Sequence, residues 1–558
     1  MNPRGYKIVL AASDSESSEY QKSAWRQMLL ACLPARYAKY MSDISSKTEV
    51  TSDGQASYVP HGLRIIESLL LRKFSPDDVK VCYTDQLELF VGEDTRAVGI
   101  HAHNPLGITF ATDVYTQMYG IDVEPVNAAE FRRMIQHPAL RKHKHHLKIL
   151  VGGPGAWQIE KKNLMDEWHI DCLVDGEAED LALSLFEAAV RGEALPRKVL
   201  GHSPRLENIP HIHHRSTFGV VEITRGCGRG CDFCSIALRS GKSLPLDQIV
   251  ANVRTQVAEG ADTIMLTTED LFLYEQGPRF QTNVPALKKL FEAVSGVPGV
   301  KSIMQTHATI APVVANPTLI EELSPIAVGK SHGKHPASTH PEKRFANLFV
   351  GLETGSVRLF KKHMKGKGYP FRPEQWRDVV LKGMETLNRN NWFPMCTWII
   401  GLPEENDDDM KESLKLLYEM RNVKWFAIPT LFVALNDTQV HKRGNKGAKL
   451  VELTDLQWEF FYTCWRYNLD FFINSRSVHW RYNLGVPLYY YLIGRRLFGN
   501  KMKYPALRLA HFPERLLRRK LYLDFTDPPM RNHPWPDVEI PSHEMRPLIP
   551  EPEIAKAV

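Results

Sequence analysis

Cysteine is scarce in this chain: eight occur in 558 residues, too few for a disulfide scaffold of that length. Three of the eight crowd into positions 227 to 234, which points instead to a reducing compartment and a metal site. Long apolar runs are lacking as well. No stretch reaches the roughly 18 uncharged apolar residues that a spanning helix needs, and the best candidate, residues 486 to 494, runs directly into Arg495 and Arg496. The first twenty residues lack the charged, apolar and small-residue order of a signal peptide, so secretion is not expected. Neither sign of charge dominates: 70 Lys and Arg against 64 Asp and Glu leave a net +6, which by itself carries no argument for a nucleic-acid partner. A cytoplasmic globular protein is expected, and its length exceeds what one hydrophobic core serves, so two or three domains should be present.

Short apolar runs punctuate the first 200 residues, at YKIVLA (6–11), VKVCYT (79–84), RAVGIH (96–101), KILVGG (148–153) and DCLVDG (171–176). A helical spacing of apolar residues in GLRIIESLLLRKF (62–74) lies between the first two. This β-α alternation predicts an α/β fold with a doubly wound, Rossmann-like sheet over residues 1 to 200. The stretch 195 to 218 reads as a linker. A second series follows: GVVEIT (219–224), DTIMLT (262–267), KSIMQT (301–306), NLFVGL (347–352), MCTWII (395–400) and WFAIPTLFV (425–433). Six strands separated by helix-length segments predict a partial (β/α)6 TIM-like barrel over 215 to 440, with its reactive groups at the carboxyl ends of the strands. Residues 441 to 558 are expected to form a mainly helical C-terminal extension.

The segment TRGCGRGCDFC (224–234) supplies Cys227, Cys231 and Cys234 from one loop after a strand, and glycines at 226, 228 and 230 let the backbone wrap closely. Three thiolates on a four-iron cluster leave one iron open. A structural zinc site would need a second knuckle, and none follows. Cys32, Cys82, Cys172, Cys396 and Cys464 stand apart and read as small buried apolar residues. The C-x3-C-x2-C spacing, with Phe233 just before the last cysteine, resembles the signature of the radical S-adenosylmethionine (SAM) superfamily. The resemblance implies a [4Fe-4S] cluster whose open iron chelates SAM, and reductive cleavage of SAM to a 5'-deoxyadenosyl radical that abstracts hydrogen. It also implies an electron donor such as flavodoxin or ferredoxin. No catalytic residue beyond the cluster ligands is assigned.

Later strand ends extend the resemblance. Glu269 and Asp270 stand where relatives receive the SAM amino group, although Thr267-Thr268-Glu269 replaces their Gly-Gly-Glu. Glu353, Gly355 and Ser356, then Gly401 and Pro403, resemble segments that line the ribose and adenine. Ahead of the barrel, VGGPGAW (151–157) and LVDGEAE (173–179) resemble a cobalamin-binding domain, which implies Gly152, Gly153, Gly176 and Glu177 as cofactor contacts. The D-x-H-x-x-G motif that supplies an axial histidine to cobalt elsewhere is missing, leaving His101 and His103 as the nearest substitutes. Two other histidine-rich pieces, 141–146 and 211–214, read as solvated loops.

Nine Lys or Arg against one acid between 494 and 520, interleaved with Leu and Phe, suit peripheral contact with an anionic bilayer or a helix packed on the barrel. Nucleic acid is not expected as a partner. The segment 363–376 and the wider pattern of residues 35 to 440 resemble radical enzymes with a cobalamin domain. These include methylases and ring-forming enzymes acting on lipids and other unactivated carbons. The leading expectation is therefore cobalamin-dependent C-methylation or C–C bond formation on a small molecule or lipid. A cobalamin-free cyclase or rearrangement enzyme, or an iron–sulfur redox sensor without catalysis, remain as alternatives.

Overall fold

The computed structural model describes residues 4–20, 32–38, 48–119, 123–331, 333–334, 344–364, 366–435 and 438–472, with Leu488 and Leu492. The basic stretch 494–520 and most of the expected C-terminal extension lie outside the described residues. The chain divides into two compact units, one built mainly from residues 1–221 and the other from residues 222–244, 265–296 and 300 onward.

The first unit is organised on a six-stranded sheet. Its strands are β1 (Ile8–Ala12), β2 (Val79–Tyr83), β3 (Ala97–His101), β4 (Lys148–Gly152), β5 (Cys172–Asp175) and β6 (Lys198–Leu200), in the order β2-β1-β3-β4-β5-β6. All five pairings are parallel. Strand β6 pairs with β5 from within the stretch that reads as a linker, so that stretch begins as part of the sheet; three residues are too short a run to carry a strand signal. Apolar residues alternate between two cores. Val9, Ala11, Val98, Ile100 and Val151 face one side with Phe131 and Trp168, and Ile8, Leu10, Ala12, Val81 and Val174 face the other with Leu63 and Phe186. Helices on both faces explain why these strands read as unbroken apolar runs rather than half-polar ones. The helix predicted from 62–74 is α1 (His61–Leu70).

The strand series continues with β7 (Val220–Glu222), β8 (Thr263–Thr267), β9 (Ser302–Gln305), β10 (Arg344–Glu353), β11 (Trp392–Ile400) and β12 (Phe426–Leu431), the last four within the second unit. Strands β7, β8 and β9 form one sheet in sequence order. The short strand His307–Ala308 pairs in parallel with β10, which pairs with β11, which pairs with β12. Thr306 joins the two sheets: its carbonyl accepts the Phe349 N–H at 2.7 Å, and its hydroxyl accepts the Thr268 N–H at 3.0 Å. Sequential strands with helices between them, such as α2 (Val284–Ser295), α3 (Trp376–Arg389) and α4 (Asp407–Glu419), make the partial barrel the spacing predicted. A further helix, α5 (Asp455–Phe472), follows β12. No helix among the described residues is long and apolar enough to cross a membrane.

Candidate active site

Cys227, Cys231 and Cys234 lie on the loop after β7, whose glycines 226, 228 and 230 have φ values of 74°, 72° and 74°. Alternate left-handed residues coil the loop tightly, a path a β-carbon would strain at each point. A Cβ on Gly226 would also meet the Ser240 carbonyl at 2.8 Å. The Cys231 side chain is buried and the other two are partly exposed. Burial pushes the Cys227 thiol up to about 12 and raises Cys231 and Cys234 as well. Among the described residues the three sulfurs do not all converge within 4.8 Å of one another. A single zinc ion, with Zn–S about 2.3 Å, would hold them about 3.8 Å apart.

The loop is clamped from beneath. Arg229, 2% exposed, donates through Nε to Asp270 Oδ2 at 2.8 Å and through its guanidinium to the Gly366 carbonyl at 3.1 Å. The Gly366 N–H returns a bond to the Arg229 carbonyl at 2.9 Å, and a Cβ on Gly366 would approach that carbonyl to 2.5 Å. Asp270 also accepts from the Thr309 hydroxyl at 2.8 Å, the Thr309 N–H at 3.2 Å and the Phe272 N–H at 3.3 Å. Its carboxylate is thus engaged inside the protein. On the other side of the loop, His363 bonds Asp232 at 3.0 Å through Nδ1 and the Pro403 carbonyl at 3.1 Å through Nε2, tying the cysteine loop to the loop after β11. Arg443 pairs with the same aspartate.

A second buried pair acts on Cys231 and Cys234. Lys367 Nζ donates to Glu353 Oε1 at 2.5 Å, with both side chains about one-tenth exposed. Burial alone would lower the lysine, yet Glu353 and the thiols of Cys231 and Cys234 hold it above its usual range. Thr397 bonds the other Glu353 oxygen at 3.3 Å. Glu353 ends β10 at φ 65°, where the register against β11 shifts, so a bulge turns its carboxylate toward Lys367. A buried cation beside two cluster ligands suits thiolates, which load a cluster site with negative charge. His307, in the short strand that pairs with β10, is exposed, and burial of its surroundings lowers its pKa. The sequence marked neither Lys367 nor His307; the lysine lay within the quoted 363–376 segment without a role.

The remaining barrel candidates divide. Glu269 is partly exposed after β8. Gly401 has φ 80° and donates to Glu405 Oε1 at 2.9 Å, and the Pro403 carbonyl is held by His363. Ser356 is fully buried, donates to Asp409 at 2.6 Å and caps the helix Val357–His363. A Cβ on Gly355 would meet the Ser413 backbone at 2.6 Å. Ser356 and Gly355 therefore lock the loop after β10 against α4.

In the first unit, β1 and β3 are the strands between which the sheet changes winding direction, and open α/β sheets bind ligands at the carboxyl ends of such a pair. Glu16, after β1, accepts from the His103 N–H at 2.9 Å and bonds His101 Nδ1 at 2.8 Å. Burial would raise Glu16, but these bonds and the two histidines hold it low. His103 is exposed, and burial of its surroundings together with His101 lowers its pKa against the pull of Glu16. A Cβ on Gly152 would make only ordinary contact with Val174, at 3.5 Å. Gly153 (φ 118°) and Gly176 (φ 109°) are required by packing: a Cβ would strike the Ala102 carbonyl at 2.7 Å and the Gly201 carbonyl at 2.4 Å. Glu177 is partly exposed beside Gly176.

Comparison with known proteins decides the class. The Radical SAM superfamily profile matches residues 221–417. These residues are a radical SAM domain. Its cofactors are a [4Fe-4S] cluster, which the cysteine loop fits, and SAM. A tRNA-2-methylthio-N(6)-dimethylallyladenosine synthase of Thermodesulfovibrio yellowstonii is 23% identical over 57% of this chain and 68% of its own. The ribosomal protein uS12 methylthiotransferase RimO of Treponema denticola is 24% identical over 40% of this chain. The match spans only 44% of that relative's length. Among solved structures, the radical SAM methyltransferase TsrM of Kitasatospora setae, with cobalamin and a [4Fe-4S] cluster bound, has a TM-score of 0.50 at 12% identity. That likeness covers 78% of this chain and 77% of TsrM, so the fold extends well beyond the radical SAM domain.

Proposed function

We propose that this radical SAM enzyme is cobalamin-dependent and functionalises an unactivated carbon, by methyl transfer or by C–C bond formation. The observation that carries the reading is the point where the first sheet changes winding direction, with His103 exposed after β3 and Gly152 with room at its α-carbon at the end of β4, ahead of a radical SAM domain in the same chain. The likeness in fold to TsrM, a methyltransferase solved with cobalamin, supports it. In this reading Cys227, Cys231 and Cys234 hold the cluster, which supplies the electron for reductive chemistry on SAM. Glu269 receives the SAM ammonium, the loop of Gly401 and Pro403 and the carboxylate of Glu353 receive its nucleoside, and Lys367 offsets the thiolate charge. Asp270, Gly355 and Ser356 hold these loops in place. His103, Gly152, Gly153, Gly176 and Glu177 border the corrinoid, which would carry a methyl group or radical equivalent.

Methylthiolation, the activity named for the curated relatives, needs a sulfur source. Beyond the cluster loop, Cys32, Cys82, Cys172, Cys396 and Cys464 are all buried, with no exposed thiol among them to hold a sulfur donor. That favours carbon or methyl transfer. The test is to produce the protein with cobalamin available, measure cobalt, and incubate it without oxygen with SAM and a reductant. The proposal expects about one cobalt per chain and formation of 5'-deoxyadenosine or S-adenosylhomocysteine. Turnover without cobalt would favour a cobalamin-free cyclase, and a loaded cluster that leaves SAM intact would favour a redox sensor. Comparing small-molecule and lipid extracts of a deletion strain would identify the substrate.

A further inference from the structure

The histidine-rich run 141–146 is not simply a solvated loop. His143 ends a six-residue helix, Pro138–His143, and is 5% exposed. Its carbonyl accepts the His146 N–H at 3.2 Å, closing a turn that brings the two imidazoles, three residues apart, to a centroid distance of 5.4 Å. Across from them stands Glu93, from the loop before β3. Its Oε1 lies 3.7 Å from His143 Nδ1, a buried nitrogen with no hydrogen-bond partner. One ligand atom from each of Glu93, His143 and His146 falls within 4.8 Å of the others.

We propose that Glu93, His143 and His146 form a binding site for a divalent transition cation, with Zn2+ as the fitting ion, that clips the loop before β3 to the loop before β4. Two imidazoles and a carboxylate are a donor set suited to zinc. Zinc bonds of about 2.0–2.2 Å to N and O place ligand atoms about 3.3 Å apart, close to the separation of Glu93 and His143. The outer shell fits as well. His146 Nε2 can donate to the Gly92 carbonyl at 3.3 Å, a bond to backbone that leaves Nδ1 with its lone pair. His145 Nε2 hydrogen-bonds that Nδ1 at 3.0 Å, so a cation would take the place of this bond and leave His145 as a further imidazole at the rim. Of the two lysines in the run, Lys144 is engaged by Asp171 and reaches the Leu147 carbonyl at 3.4 Å, while the positive field of Lys142 at His143 is opposed by Glu93. The site lies at the amino ends of β3 and β4, the strands whose carboxyl ends carry His101, His103, Gly152 and Gly153. A cation there would fix the relative position of these two strands without entering the crevice.

The test uses the full-length, cluster-loaded protein under anaerobic conditions, equilibrated with Zn2+ against a competing chelator, with metals counted by mass spectrometry. The expected result is one zinc per chain in addition to cluster iron, kept in Cys231→Ala and weakened by at least about tenfold in His143→Ala, since losing a ligand costs no less than losing its second-shell support. Because His143 is buried, Glu93→Gln is the companion variant: Glu93 is exposed, so the change should leave folding and iron content intact while abolishing zinc retention and the zinc-dependent rise in melting temperature. Zinc that is unaffected by Glu93→Gln and His143→Ala, or that disappears only with Cys231→Ala, would overturn the assignment.

Discussion

The two units place functional loops at the carboxyl ends of parallel strands, but they hold those loops differently. In the second unit the cysteine loop rests on buried charge: Arg229 on Asp270, with Lys367 on Glu353 beside the thiols. In the first unit the loops are held chiefly by backbone pressed on backbone, with Gly153 against Ala102 and Gly176 against Gly201, and one carboxylate, Glu16, gathering His101 and the His103 amide. Charge clamps suit a loop that must carry a highly charged inorganic cluster, because each buried ion already has a counter-ion within bonding distance. Close glycine packing suits a crevice for a large ligand, because it shapes a wall without polar groups that would need partners.

The contrast can be broken from its strongest side. Cys231→Ala should abolish cluster loading, because two thiolates in the loop cannot hold four irons, and iron analysis of the reconstituted protein checks this. Asp270→Asn leaves Arg229 buried beside a neutral partner, and should cost on the order of 3–5 kcal/mol in denaturant unfolding together with much of the iron. An equally stable variant would show that the clamp is dispensable.

A smaller effect distinguishes titration from packing. Burial raises the Glu405 carboxyl to about 7 although it accepts bonds from Gln457 and the Gly401 amide. A folded-state value above the unfolded one means its contribution is fully present below about pH 4.5 and is lost as pH rises through about 7. Glu405→Gln should flatten that decline, gaining at most about 3 kcal/mol on the wild type at neutral pH; parallel pH profiles would refute it. Smaller still is the pair of glycine variants in the first unit. Gly153→Ala should destabilise by about 1–3 kcal/mol through left-handed strain and the Ala102 contact. Gly152→Ala should change stability by less than about 0.5 kcal/mol while reducing cobalt retention. Equal stability losses at both positions would remove the reason for giving Gly152 a ligand-facing role.

Much of this architecture was legible before any coordinates. Every predicted strand is present, because apolar runs bounded by turn residues report burial on both faces of a parallel sheet. The cysteine loop was legible because its ligands are neighbours in the chain and its glycines announce the turn. Strand β6 was missed for its brevity. What the sequence did not show for Ser356 and Gly355 is their packing against α4, where an Asp409 carboxylate more than fifty residues away takes the hydroxyl. The 141–146 run read as solvent-exposed because nothing local shows that His143 is buried.

Sequence alone determined the order of elements, the three cysteines and the reaction class they serve, since strand periodicity and loop spacing are properties of adjacent residues. Only the tertiary structure decided that Arg229 meets Asp270, that Lys367 meets Glu353 beside the thiols, and that Glu93 meets two histidines. Those pairings join residues distant in the chain, and their strength comes from exclusion of water, which exists only once the chain has closed around them.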